Sequence, residues 1–172
     1  MKRIETEHPD VFLIEPQLWQ DERGWLFESF HAEKYAGLGV TGNFMQDNHS
    51  FSRRGVLRGL HFQVEHPQAK LCRVVSGELI DVAVDVRRDS PRFGQAVVAH
   101  LSAGNRRQIY IPRGFAHGFL ALSESVELLY KCDEKYFPGD EQGVAWNDPD
   151  IAINWKSYGI SPDELILSQK DR

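Results

Sequence analysis

The chain has 172 residues, 41% hydrophobic and 26% charged, which suits one globular domain with a packed core. Its formal net charge of −5 and the lack of any basic block exclude a general nucleic-acid or membrane-surface binder, and no apolar run approaches the ~18 residues of a membrane span. The N-terminus MKRIETEHPD lacks the apolar stretch of a signal peptide, and Cys72 and Cys132 lie far apart without CxxC or zinc-type spacing, so a cytoplasmic chain with reduced core thiols is expected.

No repeat, low-complexity tract or linker divides residues 1–172, and a single domain is expected. HAEKYAGLG, His31 to Gly39, reads as a short helix. GVLRGLHFQ, Gly55 to Gln63, reads as a buried strand that sets one imidazole, His61, among apolar residues with Arg58 and Gln63 close by. In LCRVVSGEL, Ser76-Gly77-Glu78 is a turn signal between two apolar runs, hence a hairpin. ELIDVAVDVRR alternates, with Ile80, Val82, Val84 and Val86 on one face and Asp81, Ala83 and Asp85 on the other. Inward carboxylates are costly unless paired or hydrated, so the acidic face either lines a polar pocket or looks to solvent; parity alone leaves both open. QAVVAHLSAGNRRQIYIP repeats strand, turn and strand before Pro112. SVELLYKCDEKY places Val126, Leu128, Tyr130 and Cys132 on one face and Glu127, Leu129 and Lys131 on the other. SPDELILS opens with Ser161-Pro162 and acidic residues, a helix N-terminal signature. Short strands with regular turn signals and few short helices predict an all-β sandwich or barrel.

Two local patterns test a metal reading. His61-Phe62-Gln63 is followed by Glu65, and Pro112-Arg113-Gly114-Phe115-Ala116-His117 follows the pattern PxGxxH. Metal-binding barrels of the cupin type carry an HxH pair and a glutamate in the first motif and one more histidine in the second. Here Gln63 holds the second histidine's place, and a neutral amide is a poor ligand for a transition metal. His61, His117 and one uncertain carboxylate fall short of the three protein ligands usual at a catalytic zinc or iron site. No metal is expected, and both histidines are free for acid–base or hydrogen-bonding work.

Four stretches, QDNHSFSRRGVLRGLHFQ, QAKLCRVVSGELIDVAVDVRRDSPRFGQ, IPRGFAHGFLALSE and LLYKCDEKY with the later WNDPDIAINW, closely resemble the dTDP-4-dehydrorhamnose 3,5-epimerases. The resemblance runs from about Glu15 to Asp171, with the motifs in the family's order and spacing. It implies a cupin-type jelly-roll β-barrel with a few short helices, and a homodimer to whose interface residues 1 to about 45 contribute. It implies no metal or other cofactor. The implied reaction inverts C3 and C5 of dTDP-4-dehydro-6-deoxy-D-glucose, giving dTDP-4-dehydro-L-rhamnose for L-rhamnose synthesis.

Inverting a carbon beside a ketone needs a base, a partner for the enolate oxygen and an acid on the opposite face. The C4 ketone flanks both carbons, so one oxyanion site can serve both. His61 fits the base, since imidazole titrates near working pH. By resemblance Asp171 orients it; Asp81, on the polar face of its strand, is the alternative partner. Strand parity points Tyr130 inward, and by resemblance it is the acid. Lys70 resembles the enolate stabiliser, with His117 as a neutral donor nearby. Arg58 resembles the diphosphate contact, where a guanidinium meets phosphate oxygens in a bidentate way. Arg23 and Glu28 resemble nucleotide contacts supplied across the dimer interface. Gln46, Asp47 and Asn48 resemble a further binding segment, Tyr136 the platform under the thymine ring, and Glu141 and Lys170 two more binding positions.

Three other readings remain at this point. A mono-epimerase or keto-isomerase on a related dTDP-deoxysugar would differ in how many carbons exchange protons. A metal-dependent dioxygenase of the same barrel type would hold about one metal per chain. A non-catalytic sugar-nucleotide binding module would tolerate loss of His61 and Tyr130.

Overall fold

A computed structural model describes residues 1–172. The strands are β1 (Lys2–Glu5), β2 (Phe12–Glu15), β3 (Trp19–Asp21), β4 (Gly24–Leu26), β5 (Gln46–Arg53), β6 (Leu57–Gln63), β7 (Lys70–Ser76), β8 (Glu78–Asp85), β9 (Ala96–Ser102), β10 (Gln108–Ile111), β11 (Phe115–Ala121), β12 (Ser125–Cys132) and β13 (Glu141–Gly143). The helix α1 (Ala32–Gly37) is joined by 3-10 turns at Trp155–Tyr158, Pro162–Glu164 and Gln169–Asp171. A six-stranded sheet in the order β1-β2-β10-β7-β12-β5 faces a five-stranded sheet in the order β13-β6-β11-β8-β9, and β3 and β4 form a separate hairpin. This is the all-β jelly-roll sandwich that the strand pattern and the resemblance led one to expect.

Each sheet packs on its inner face and over part of its outer face. Cys72, Val74, Leu79, Ala83, Ile109, Ile111, Val126 and Leu128 meet between the sheets. Outside the six-stranded sheet, Phe12, Ile14, Leu71 and Tyr110 pack on Tyr35 of α1. The helix begins where His31 caps it, its Nδ1 accepting the Lys34 N–H at 3.5 Å. Outside the five-stranded sheet, Ile80, Val82 and Val84 lie under Trp155 and Ile160 of the C-terminal segment.

That second cover resolves the ambiguity on β8. The valine face is buried beneath the C-terminal segment, and the acidic face points between the sheets. Asp81 and Asp85 are both 0% exposed, so each must be paired. Asp85 accepts from Arg87 Nε (2.9 Å) and Nη2 (2.7 Å), from Ser90 Oγ (2.6 Å) and from the buried His8 Nε2 (3.2 Å).

The helix expected at SPDELILS is only one 3-10 turn, Pro162–Glu164, with the Ser161 N–H donating to Glu164 Oε2 at 2.8 Å. The capping signal is real, but the chain turns extended at Leu165. Ile166 N donates to Gly55 O (2.9 Å) and Leu57 N to Ile166 O (3.2 Å). These bonds to the start of β6 compete with a helix for the same backbone groups, and they win.

The pairing of β6 with β11 contains one irregularity that shapes the site. His117 pairs with His61, but Phe119 pairs with Arg58, so three steps along β6 match two along β11. The extra residue is a β-bulge at Gly59–Leu60. Glycine is required here: Gly59 has φ +104°, and a Cβ on it would lie 2.5 Å from the His117 carbonyl oxygen. A Cβ on Gly118 opposite would lie 2.5 Å from the Arg58 carbonyl oxygen.

Candidate active site

Residues three apart on a regular strand face opposite sides. The bulge cancels one step, so Arg58 and His61 both line a cavity of about 490 Å³, while Leu57, Leu60 and Phe62 pack outward. Both sheets wall this cavity. β6 brings Arg58 and His61, β11 brings His117, and β13 brings Glu141. From the opposite sheet β5 brings Gln46 and Asn48, β7 brings Lys70, and β12 brings Tyr130. Tyr136, Lys170 and Asp171 close the rim.

Two histidine–carboxylate pairs stand in this wall. His61 Nε2 lies 2.6 Å from Asp171 Oδ1, and Ser168 Oγ donates to Asp171 Oδ2 at 2.7 Å. The Asp171 side chain is only 4% exposed. Asp81 is not the partner of His61. Both of its oxygens lie 3.0 Å from His117 Nε2, because parity along β8 turns Asp81 between the sheets, on the same face as His117, which stands two residues along β11 from the cross-strand neighbour Phe119. This also alters the expected part for His117. If its Nε2–H is given to Asp81, a neutral ring has no second N–H, so His117 donates into the cavity only as the imidazolium.

With Nε2–H donated to Asp171, His61 presents the Nδ1 lone pair, whose nearest carboxylate oxygen is Glu141 Oε1 at 3.6 Å. Burial lowers the His61 pKa from its usual value, and Lys170 adds to this, while Glu141 and Asp171 oppose it. The ring is therefore neutral, and able to take a proton, at neutral pH. Across the cavity, burial raises the Tyr130 phenol to about 12, with Cys132 and Cys72 adding to the shift. It stays protonated. The two Tyr130 and His117 rings meet edge to face, 6.5 Å apart.

Arg58 is held by Ser52 Oγ (3.1 Å) and the Phe51 carbonyl (3.2 Å), neither of them an anion, so its charge is available to a ligand. Lys170 Nζ is hydrogen-bonded to Glu141 Oε2, and the Tyr136 hydroxyl reaches the same oxygen at 3.4 Å. Gln46 Nε2 donates to Asn48 Oδ1 at 3.1 Å.

Three expected site residues lie elsewhere in the chain's own fold. Asp47 sits on the other face of β5 and pairs with Lys131 (2.9 Å), since its odd position turns it away from Gln46 and Asn48. Arg23, in the β3–β4 turn, binds Asp21 (2.5 Å), and Glu28 binds Lys34 (2.6 Å); neither lines the cavity.

Sequence reasoning passed over Ser50, Gln68, Phe119, Cys132 and Ser168, which also line the cavity. Ser50 was legible from alternation with Gln46 and Asn48. Its Oγ is buried with no hydrogen-bond partner. Cys72, Asp81 and His117 place three ligand-type atoms within 4.8 Å of one another. His61 is not among them, so the two histidines that a metal-binding barrel would direct at one ion here serve separate carboxylates.

A family profile described as dTDP-4-dehydrorhamnose 3,5-epimerase matches residues 5–172. The dTDP-4-dehydrorhamnose 3,5-epimerase of Salmonella typhimurium (strain LT2) is 52% identical over 170 residues, covering 98% of this chain and 91% of that protein. The Methanothermobacter thermautotrophicus protein of the same name is 49% identical over 169 residues, covering 98% and 90%. Among solved structures, the dTDP-6-deoxy-D-glucose-3,5-epimerase of Legionella pneumophila, in complex with dTDP-4-keto-L-rhamnose, matches with a TM-score of 0.93 at 46% identity, covering 99% of this chain and 89% of that one.

Proposed function

This chain belongs to the dTDP-4-dehydrorhamnose 3,5-epimerase family, and from that premise we propose that its cavity inverts C3 and C5 of dTDP-4-dehydro-6-deoxy-D-glucose to give dTDP-4-dehydro-L-rhamnose. The observation that carries the reading is the placement of a neutral base and a protonated acid on opposite walls. His61 projects from the five-stranded sheet and Tyr130 from the six-stranded one. A sugar ring held between them loses a proton from one face and gains one on the other, which is inversion.

His61 Nδ1 takes the proton from the carbon beside the ketone, and the bonding pair moves onto the C4 oxygen. The resulting imidazolium is stabilised by Asp171, as in other His–Asp pairs. Lys70 offers a cation to the enolate oxygen, in a site where water is partly excluded and the charge acts strongly. Tyr130 then donates its phenolic proton to the opposite face, the enolate collapses to the ketone, and exchange with solvent resets both groups. One ketone serves both carbons, so the same three groups suffice for two inversions.

In this reading Arg58 holds the diphosphate, Tyr136 stacks on the thymine, and Gln46, Asn48, Glu141 and Lys170 line the nucleotide path; all six line the cavity. Arg23 and Glu28 then act in the cavity of a second copy. The β3–β4 hairpin supports such a homodimer: it pairs with no other strand, and Trp19, Trp25 and Leu26 are 48%, 54% and 66% exposed, an apolar surface that marks an interface. No helix is long and apolar enough to cross a membrane, and the free Cys72 and Cys132 suit the reducing cytoplasm where we place the enzyme.

The test is the reaction in deuterated water, coupled to a reductase that traps the product. Deuterium at both C3 and C5 with L-configured product is expected. Label at one carbon only would replace the reading with a mono-epimerase, and none at either would end it.

A further inference from the structure

Gln63 occupies the place where a metal-binding barrel carries a histidine, yet it does not line the cavity and is only 5% exposed. Its amide is spent on backbone. Nε2 donates to Lys135 O (3.1 Å) and His66 O (2.8 Å), and Oε1 accepts from Phe137 N (2.7 Å). Lys135 O belongs to the peptide before Tyr136, and Phe137 N to the peptide after it. Each residue has only two soft backbone torsions, so one side chain that ties both flanking peptides fixes the direction of the Tyr136 Cα–Cβ bond. The same first peptide is held from its other end, where Tyr136 N donates to Gln46 Oε1 (3.1 Å). The His66 ring, on the strand side of the clamp, stacks on Phe137 at 3.8 Å, and Asp140 accepts the His66 N–H at 2.9 Å. The loop that presents Tyr136 is thus fastened to the end of β6, the strand that carries His61.

We infer that Gln63 is a positioning residue for recognition of the nucleotide base: it fixes the backbone of Tyr136 so that the aromatic ring is set before the thymine arrives. The inference rests on the reading of Tyr136 as the stacking platform. Pre-setting the ring removes an ordering cost from binding, and it leaves proton transfer at the sugar untouched, because the Gln63 side chain bonds only backbone groups and does not line the cavity.

Calorimetric titration with dTDP and with inorganic diphosphate, together with steady-state kinetics, tests this on Gln63→Met, Gln63→Glu and Tyr136→Ala. Gln63→Met keeps the length and removes all three bonds; Gln63→Glu keeps the acceptor for Phe137 N and removes both donors, and serves if the first variant does not fold. Base stacking on an aromatic side chain is strong enough that Tyr136→Ala should weaken dTDP binding on the order of tenfold. The Gln63 variants should weaken dTDP and raise KM by up to the same factor, with kcat and diphosphate affinity within about twofold of the parent enzyme. In the Tyr136→Ala background the Gln63 effect should vanish. If Tyr136→Ala weakens dTDP and the Gln63 variants do not, the clamp is refuted. It is equally refuted if kcat and diphosphate affinity fall in step with dTDP, the mark of general damage. If Tyr136→Ala itself leaves dTDP binding unchanged, the stacking reading falls first.

Discussion

His61 and Asp171 are 110 positions apart in the chain and 2.6 Å apart in space. The pair does two things at once: burial holds the imidazole below its usual pKa, and the carboxylate opposes that shift. The midpoint of the acid limb of the kcat/KM profile should therefore lie below 6.5, the ordinary histidine value. Asp171→Asn removes an interaction that raises the pKa, so the acid limb should move to still lower pH while the plateau rate drops, since the imidazolium loses its partner. A limb that moves upward, measured by pH–rate profiles, would contradict this assignment. Tyr130, raised to about 12, contributes no alkaline limb in the accessible range. Tyr130→Phe should cut inversion by roughly 10²–10⁴-fold, yet deuterium should still wash into the sugar through His61 without change of configuration. That separation of exchange from inversion, read by NMR, tests the division of labour between base and acid.

At the scale of elements, β8 shows why acidic residues can sit between two sheets. Asp81 is satisfied by the His117 imidazole on the neighbouring strand and Asp85 by a ring of donors. Burial works to raise the Asp85 pKa, but the Arg87 and Ser90 hydrogen bonds outweigh it and hold the carboxyl well below the ordinary range. A depressed pKa contributes stability that is fully present above the unfolded value, near 3.8, and is lost as pH falls toward the folded one. Asp85→Ala takes the acceptor from the buried His8 and from Ser90, while the half-exposed Arg87 keeps Asp10 (2.9 Å); it should lower stability by about 1–3 kcal/mol, as read by urea denaturation near neutral pH. The bulge in β6 makes a sharper prediction. Gly59→Ala meets the His117 carbonyl at 2.5 Å in a positive-φ position, so β6 must shift against β11. Activity should fall by at least the ~10²-fold that a misplacement of about 1 Å costs, and the thermal midpoint should drop with it.

At the scale of the whole molecule, the isolated β3–β4 hairpin is the part least explained by the chain alone. Two-stranded ribbons are marginal without further packing, and this one exposes its tryptophans. In the proposed dimer it reaches the second copy's cavity with Arg23 and Glu28. Replacing Leu26 with Asp should shift the protein toward monomer in sedimentation velocity and raise KM for the sugar nucleotide. A monomeric parent protein of full activity would refute the arrangement.

How much of this was legible follows from what each signal depends on. Strand positions depend on local alternation, and β6 to β10 and β12 were readable from it, whereas β11 is buried along its whole length and shows none. The cavity-facing set His61, Lys70 and Tyr130 came from the resemblance, and the structure brings those three into one cavity. SPDELILS misled because a capping signal is local, whereas the bonds from Ile166 to Gly55 and Leu57 that end the helix come from residues over a hundred positions away. Asp81 could not be assigned either, since parity gives a face but not which layer covers it. The sequence by itself determined an all-β chain, its turns, and the residue types its chemistry requires. Only the tertiary structure decided their meeting. Arg58 and His61 stand three apart, an odd spacing that a regular strand splits between opposite faces. Gly59 admits the extra residue of a bulge against His117 and Gly118, and that one step turns both side chains toward the same cavity. The physical reason is that a bulge is a relation between two strands, set by their register, and no pattern within one strand contains it.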